Sequence, residues 1–115
     1  MSWMRVLILE DEPLIAMDLE DIVENRCHAQ CLMASNVDTA LRHIADGVDF
    51  AMLDIHLGEG GANSLRVASS LMARSIPFCF VSASLTTLPE MFAGVPRVAK
   101  PFRPQEIERV LPAAA

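Results

Sequence analysis

The sequence predicts an α/β fold built on a parallel sheet, and two observations support this prediction. Five short apolar runs, each of the length of a buried strand, recur at positions 5–9, 30–34, 50–53, 78–81 and 97–99. The segments between most of them carry apolar residues at helical spacing. Strands that alternate with helices imply right-handed crossovers and a sheet covered on both faces. We therefore expect a flavodoxin-like, doubly wound, five-stranded sheet of order 2-1-3-4-5, formed by residues 1–115 as one domain.

The helices of this pattern have recognisable starts and stops. Pro13 and Pro104 open the first and last helices, because proline is favoured at the first helical position. Ser35 and Asn36 cap the second helix, and Gly47 ends it. The third helix is expected at about residues 63–74, whereas prolines between residues 85 and 96 leave room for only a short or irregular fourth helix. The apolar positions of the first, second and last helices are Ile15, Leu19, Ile22 and Val23, then Val37, Ala40, Leu41, Ile44 and Ala45, then Ile107, Val110 and Leu111.

Composition and charge exclude several classes of protein. Hydrophobic residues make up 52% of the chain and charged residues 21%, which is typical of a globular protein with a core. The net charge of −6 argues against binding to nucleic acid or to an anionic membrane surface. No apolar stretch reaches the roughly 18 residues of a membrane span, and residues 1–5 lack the layout of a signal peptide. A cytoplasmic protein is expected.

Three cysteines, Cys27, Cys31 and Cys79, are an odd number in a chain that needs no disulfide. Cys27, His28 and Cys31 lie close together in sequence, but zinc needs four ligands and the nearest fourth candidate is His43. Buried or half-buried thiols are therefore favoured over a zinc site.

Polar and charged residues directly follow four of the five apolar runs. Glu10, Asp11 and Glu12 follow the first run, Asp54 the third, Ser82 the fourth and Lys100 the fifth. Ligands of open α/β sheets bind outside the carboxyl ends of the strands, so these side chains are expected at one edge. Carboxylates that lie close together repel unless a cation joins them, and an all-oxygen set with few protein ligands suits Mg²⁺.

These residues predict a magnesium site with an aspartate equipped for attack on phosphorus. Glu10, Asp11 and Asp54 are the expected ligands, while Lys100 and Ser82 would stabilise a transferring phosphoryl group. Each residue alone also has an ordinary structural interpretation. The first acids can cap the following helix and favour it by charge. Asp54 can be an ordinary loop residue and Lys100 a solvated lysine, and Ser82 alone carries little information. Coincidence at four strand ends is much less probable than a site.

The chain resembles a response-regulator receiver domain of two-component signalling over essentially its whole length. The resemblance rests on residues 9–13 (LEDEP), 52–57 (MLDIHL), 80–83 (FVSA) and 100–102 (KPF). It implies that Asp54 accepts a phosphoryl group from the phosphohistidine of a histidine kinase or phosphotransfer protein. It also implies that Mg²⁺ is held by Glu10, Asp11, Asp54 and the backbone carbonyl of His56. By the same resemblance Ser82 and Lys100 bind the phosphoryl group, and the Lys100–Pro101 peptide is cis.

Several positions depart from the pattern of that family. Arg97 stands where an aromatic residue usually takes part in the switch, and Gly58 stands where proline is frequent and is expected to loosen the loop. The interval from Ser82 to Lys100 is also shorter than is common in the family. Separately, residues 80–83 (FVSA) and 101–103 (PFR) resemble a stand-alone regulator subgroup with an atypical switch.

The remaining expectations concern output and neighbouring residues. The His56 side chain can tune dephosphorylation or be a solvated loop residue, and the small Ser84 should shield water poorly. Leu85, Leu88, Met91 and Phe92 form a partner-binding patch if exposed, and about half of them are expected to pack on the sheet instead. The expected output is binding to an unknown downstream protein, and a homodimer is possible.

Two other functions stay open from the sequence. One is a small phosphohydrolase that works through an aspartyl-phosphate, although such an enzyme needs a second aspartate where this chain has His56. The other is an interaction domain that does not depend on phosphorylation, for which Arg97 is the only support.

Overall fold

The computed structural model describes residues 3–58, 63–83 and 87–112. Its centre is a five-stranded sheet, parallel throughout, of order β2-β1-β3-β4-β5. The prediction of a doubly wound α/β fold with this strand order is confirmed. The elements in chain order are β1 (Met4–Leu9), α1 (Pro13–Arg26), β2 (Ala29–Ala34), α2 (Val37–Asp46), β3 (Phe50–Leu53), α3 (Leu65–Ala73), β4 (Phe78–Ser82), a 3₁₀ turn (Glu90–Phe92), β5 (Arg97–Ala99) and α4 (Pro104–Glu108).

Two apolar layers cover the sheet, because alternate residues of each central strand point to opposite faces. Leu7 and Leu9 of β1 belong to the layer beneath α2 and α3, whereas Val6 and Ile8 belong to the layer beneath α1 and α4. These four residues are 0% exposed, which explains why the central strands are continuous apolar runs in the sequence. The sheet is therefore a rigid base for the loops at its carboxyl edge.

The helix boundaries follow the sequence signals closely, with one difference. Pro13 begins α1, and the Asn36 side chain accepts a hydrogen bond of 2.9 Å from the Thr39 N–H to cap α2. The last helix is shorter than the apolar pattern predicts, since α4 ends at Glu108, before Val110 and before Leu111. Pro112 explains the early end, because in a continued helix it has no N–H to donate to the Glu108 carbonyl and its ring would clash with that carbonyl.

The segment before β5 is irregular, as predicted. Its described part contains one 3₁₀ turn, Glu90–Phe92. Phe92 packs edge-to-face on Phe78 and Phe80, with ring centroids 6.4 and 5.9 Å away, and Leu88 packs on the same layer. Met91 is 56% exposed. The other residues expected in this patch or beside the site, Leu85 and Ser84, lie outside the described residues.

The cysteines are free thiols, as the sequence predicts. Burial raises the pKa of the Cys79 thiol to about 12, and burial together with nearby acids does the same for Cys31. The acidic group at the carboxyl edge is the one candidate metal-binding group found among the described residues, and it contains no cysteine. Over the same residues, no helix has both the length and the apolar character needed to cross a membrane.

Replacement of Phe92 by alanine should destabilise the fold by about 3–5 kcal/mol, because it leaves a cavity between two other phenylalanines. Met91→Ala is the matched control in the same turn and should change stability by no more than about 0.5 kcal/mol, since that side chain is exposed. Urea unfolding measures both variants. Equal effects of the two substitutions would show that the turn does not pack as described.

Candidate functional site: an acidic cluster paired with Lys100

Backbone hydrogen bonds bring the predicted site residues to one edge of the sheet. The Glu10 N–H donates to the Ala34 carbonyl at 2.9 Å, and the Asp54 N–H donates to the Leu9 carbonyl at the same distance. The Lys100 N–H donates to the Ser82 carbonyl at 3.1 Å. These bonds continue the parallel pairings one residue past the strands. They place Glu10 beside Asp54, and Lys100 beside Ser82 further along the same edge.

The Lys100 ammonium joins two carboxylates. Its Nζ atom lies 2.5 Å from Glu10 Oε1 and 3.1 Å from Asp54 Oδ2. The Glu10 side chain is only 1% exposed, and those of Asp54 and Lys100 are 10% exposed. Glu10 Oε2 also accepts the Glu12 N–H at 3.1 Å. Two nearly buried carboxylates therefore share a single ammonium group.

Burial and neighbouring charges shift the pKa of both Glu10 and Lys100. Burial raises the pKa of Glu10, and the charge of Asp54 raises it further, although hydrogen bonds from Lys100 and the Glu12 N–H act in the opposite direction. Burial alone would lower the pKa of Lys100, but its hydrogen bonds and charge interactions with Glu10 and Asp54 outweigh burial and raise it. The lysine stays charged, while the ionised form of Glu10 is disfavoured.

The acidic cluster fits a hard divalent cation. Glu10, Asp11 and Asp54 each offer a carboxylate oxygen, and these oxygens lie within 4.8 Å of one another. Three carboxylates against one ammonium leave excess negative charge in a partly buried place. Oxygen donors in small number suit Mg²⁺, which keeps several of its waters. The chemistry of the donor set therefore matches the ion expected from the sequence.

The remaining predicted site residues lie around this cluster. Ser82 is the last residue of β4 and is 3% exposed, and its neighbour in β5 is Ala99. His56 is half-buried, two residues after Asp54. The Lys100–Pro101 peptide is cis, as the resemblance implied. Arg97 is exposed at the start of β5, opposite Phe80 of β4.

Sequence reasoning missed two residues that hold the loop after Asp54. The Asn63 side chain makes hydrogen bonds to both the N–H and the carbonyl of Leu57, and the buried Ser64 hydroxyl donates to the Ile55 carbonyl. The sequence pattern marks Asn63 only as the beginning of a helix. An amide that follows a glycine-rich run directly before a helix is the signal that could have pointed to its role.

Gly58 has φ +60°, in the left-handed region, where its N–H donates to Asp11 Oδ2 at 2.8 Å. Proline cannot adopt this backbone conformation and has no N–H to donate. Glycine at this position therefore permits a turn that ties the loop after β3 to the loop after β1. This hydrogen bond opposes the loosening of the loop that is expected from a glycine at position 58.

The strand order, the acids after β1, Asp54 after β3 and the lysine after β5 together define the class of protein: the chain belongs to the family of response-regulator receiver domains. It is 32% identical to the phyllosphere-induced regulator PhyR of Methylorubrum extorquens, over a match covering 93% of this chain. The chain spans 42% of the length of that regulator. No protein-family model matches the sequence.

Solved structures give the same assignment. The solution structure of SdrG from Sphingomonas melonis Fr1 has 38% sequence identity and a TM-score of 0.81, and the match covers 96% of this chain and 95% of that one. SdrG has also been solved in a BeF₃-activated conformation, with a TM-score of 0.74 and coverage of 95% and 94%. The receiver domain of PhyR from Erythrobacter litoralis is 27% identical, with a TM-score of 0.74 and coverage of 95% and 87%.

Replacement of Glu10 by glutamine should stabilise the metal-free protein at neutral pH, because it removes a buried negative charge beside Asp54 while Lys100 keeps Asp54 as its partner. The raised pKa of Glu10 means that wild-type stability is lost as the pH rises through that pKa. The advantage of the variant should therefore shrink on acidification, once Glu10 of the wild type is protonated.

Thermal unfolding in the presence of a chelator measures this difference as a function of pH. Glu24→Gln, on the exposed surface of α1, is the control for loss of a negative charge and should show little change. A Glu10→Gln variant less stable than the wild type at neutral pH would contradict the electrostatic account.

Proposed function

We propose that residues 1–115 act as one phosphoacceptor receiver domain of a two-component phosphorelay. In this proposal Asp54 accepts a phosphoryl group from the phosphohistidine of a histidine kinase or phosphotransfer protein in the cytoplasm. The reaction depends on Mg²⁺, and the phosphorylated domain signals by binding a downstream protein. The observation that carries the proposal is the shared Lys100 ammonium, 2.5 Å from Glu10 and 3.1 Å from Asp54, beside a third carboxylate.

The nucleophile of the proposed reaction is an oxygen of Asp54. It attacks phosphorus, the new O–P bond forms as the P–N bond to the donor imidazole breaks, and the imidazole nitrogen keeps that electron pair. Asp54 is 8% exposed at the end of β3, so it has little hydration to lose and a fixed direction of approach. The product is an aspartyl-phosphate, a mixed anhydride that water can hydrolyse.

Each neighbouring residue has a defined task in the proposal. Glu10, Asp11, Asp54 and the His56 backbone carbonyl would hold Mg²⁺, which when bound offsets the charge of the phosphoryl oxygens. Lys100 would bind one phosphoryl oxygen with the same ammonium that now bridges two carboxylates. The Ser82 hydroxyl would donate to another. On phosphorylation, the Lys100 ammonium would therefore leave its carboxylate partners and bind the phosphoryl group.

The relatives support the same chemistry. SdrG, which is 38% identical, has a BeF₃-activated conformation, and beryllofluoride has the tetrahedral shape and charge of a phosphoryl group. A protein named PhyR from Bartonella quintana, 28% identical over 95% of this chain, is described as an anti-anti-sigma factor. We infer from this likeness that the output of the present domain is also contact with another regulatory protein.

Incubation with Mg²⁺ and acetyl phosphate should add one phosphoryl group to the wild-type protein and none to Asp54→Ala. Intact-mass spectrometry measures the adduct, and Asp21→Ala, on the exposed surface of α1, is the matched control that should still be phosphorylated. A chelator should abolish the adduct, because the site then lacks the charge that offsets the phosphoryl oxygens.

An adduct that persists in Asp54→Ala would show that another residue is the acceptor. Steady turnover of a phosphomonoester that depends on Asp54 would instead favour the phosphohydrolase. Unchanged partner capture by Asp54→Ala, with or without Mg²⁺ and acetyl phosphate, would favour the phosphorylation-independent interaction domain.

A further inference from the structure

The backbone directly after Asp54 is held by side chains from the start of α3. The Ser64 hydroxyl donates to the Ile55 carbonyl at 2.8 Å, and Ser64 is 0% exposed. The Leu57 N–H donates to Asn63 Oδ1 at 3.1 Å, and Asn63 Nδ2 donates to the Leu57 carbonyl at 3.2 Å. The two bonds of Asn63 therefore engage both backbone polar groups of Leu57.

These bonds fix consecutive peptide planes. Each peptide unit is planar, so fixing its N–H or its carbonyl fixes the other group as well. Ser64 fixes the unit between Ile55 and His56, and Asn63 Oδ1 fixes the unit between His56 and Leu57. Both backbone dihedral angles of His56 therefore lie between two immobilised planes.

The direction of the His56 carbonyl follows from the same geometry. The peptide bond between His56 and Leu57 is trans, because the cis peptide of the described chain is Lys100–Pro101. In a trans peptide the N–H and the carbonyl point in opposite directions. Since the Leu57 N–H points to Asn63, the His56 carbonyl points to the opposite side of the plane.

The next peptide plane is held at both ends and connects the loop to the acidic cluster. The Leu57 carbonyl accepts from Asn63 Nδ2, while the Gly58 N–H on the other side of the same plane donates to Asp11 Oδ2. Asn63 and Asp11 therefore hold the same peptide unit from opposite sides. Asp11 is one of the three acids of the cluster, so the hydrogen bonds of Asn63 and Asp11 connect this part of the chain to the candidate metal site.

We propose that Asn63 is a positioning residue for magnesium binding, which fixes the peptide planes that carry the His56 carbonyl and the Gly58 N–H. The inference rests on the proposed function, because it assigns that carbonyl as a magnesium ligand. Asn63 does not touch the metal or the phosphoryl group. Its hydrogen bonds oppose the backbone freedom that Gly58 would otherwise give the chain after Asp54.

The role of Asn63 predicts an effect on metal affinity and no effect on the phosphoryl-transfer step. Asn63→Ala should weaken Mg²⁺ binding roughly ten- to a hundredfold, the usual cost of removing a group that orients a ligand. The maximal rate of phosphorylation by acetyl phosphate at saturating Mg²⁺ should match the wild type. Only the Mg²⁺ concentration that gives half of this rate should rise.

A second measurement tests the hydrogen bond between the Leu57 N–H and Asn63 in the metal-free protein. Hydrogen exchange of the Leu57 amide should be slow in the wild type and fast in Asn63→Ala. Asn63→Asp keeps an oxygen acceptor for this N–H and should retain slow exchange. Asn36→Ala is the matched control, because Asn36 caps α2 through the Thr39 N–H and not through the loop after Asp54.

The outcomes separate the positioning role from the proposed function. A wild-type protein that binds no Mg²⁺ would contradict the proposed function and remove the basis for the role of Asn63. Wild-type Mg²⁺ affinity in Asn63→Ala, or an equal loss in Asn36→Ala, would contradict the positioning role alone. So would an Asn63→Ala variant whose Leu57 amide exchanges as slowly as that of the wild type.

Discussion

The charge balance at the carboxyl edge of the sheet depends on one ammonium group shared between two nearly buried carboxylates. Lys100 is the only lysine of the chain, and it reaches Glu10 and Asp54 at once. Without this group the two acids would lie together with no cation between them. The arrangement leaves Glu10 with a raised pKa and keeps Lys100 charged. The Lys100 ammonium therefore offsets only part of the negative charge of the metal-free cluster.

The parallel sheet provides this arrangement. Order β2-β1-β3-β4-β5 makes β1 and β3 neighbours, so Glu10 and Asp54 follow adjacent strands although they are distant in sequence. Lys100 follows β5 and is bound through its backbone to Ser82 at the end of β4. The crossovers thus bring four strand ends together, and the buried apolar layers on both faces keep the edge from shifting.

Much of the fold and site could be predicted from the sequence, because buried parallel strands and amphipathic helices have different periodicities. In a parallel sheet the carboxyl ends of the strands share one edge, so the residues that follow the apolar runs already predict that Glu10, Asp54 and Lys100 lie together. The early end of α4 was missed, since Val110 and Leu111 continue the apolar spacing of the helix, whereas the helix itself ends at Glu108. The roles of Asn63 and Ser64 were also missed, because side-chain bonds to loop backbone leave no periodic pattern in a sequence.

The Lys100 ammonium is bound by Glu10 and Asp54, and in the proposed function it moves to the phosphoryl group. Selective ¹⁵N labelling of lysine gives a single side-chain Nζ signal, because the chain has one lysine. We expect a slowly exchanging ammonium signal in the metal-free protein. With Mg²⁺ present throughout, acetyl phosphate should change the position of the signal in the wild type and leave it in place in Asp54→Ala. A rapidly exchanging Nζ signal, or one that phosphorylation of Asp54 leaves in place, would contradict this role of Lys100.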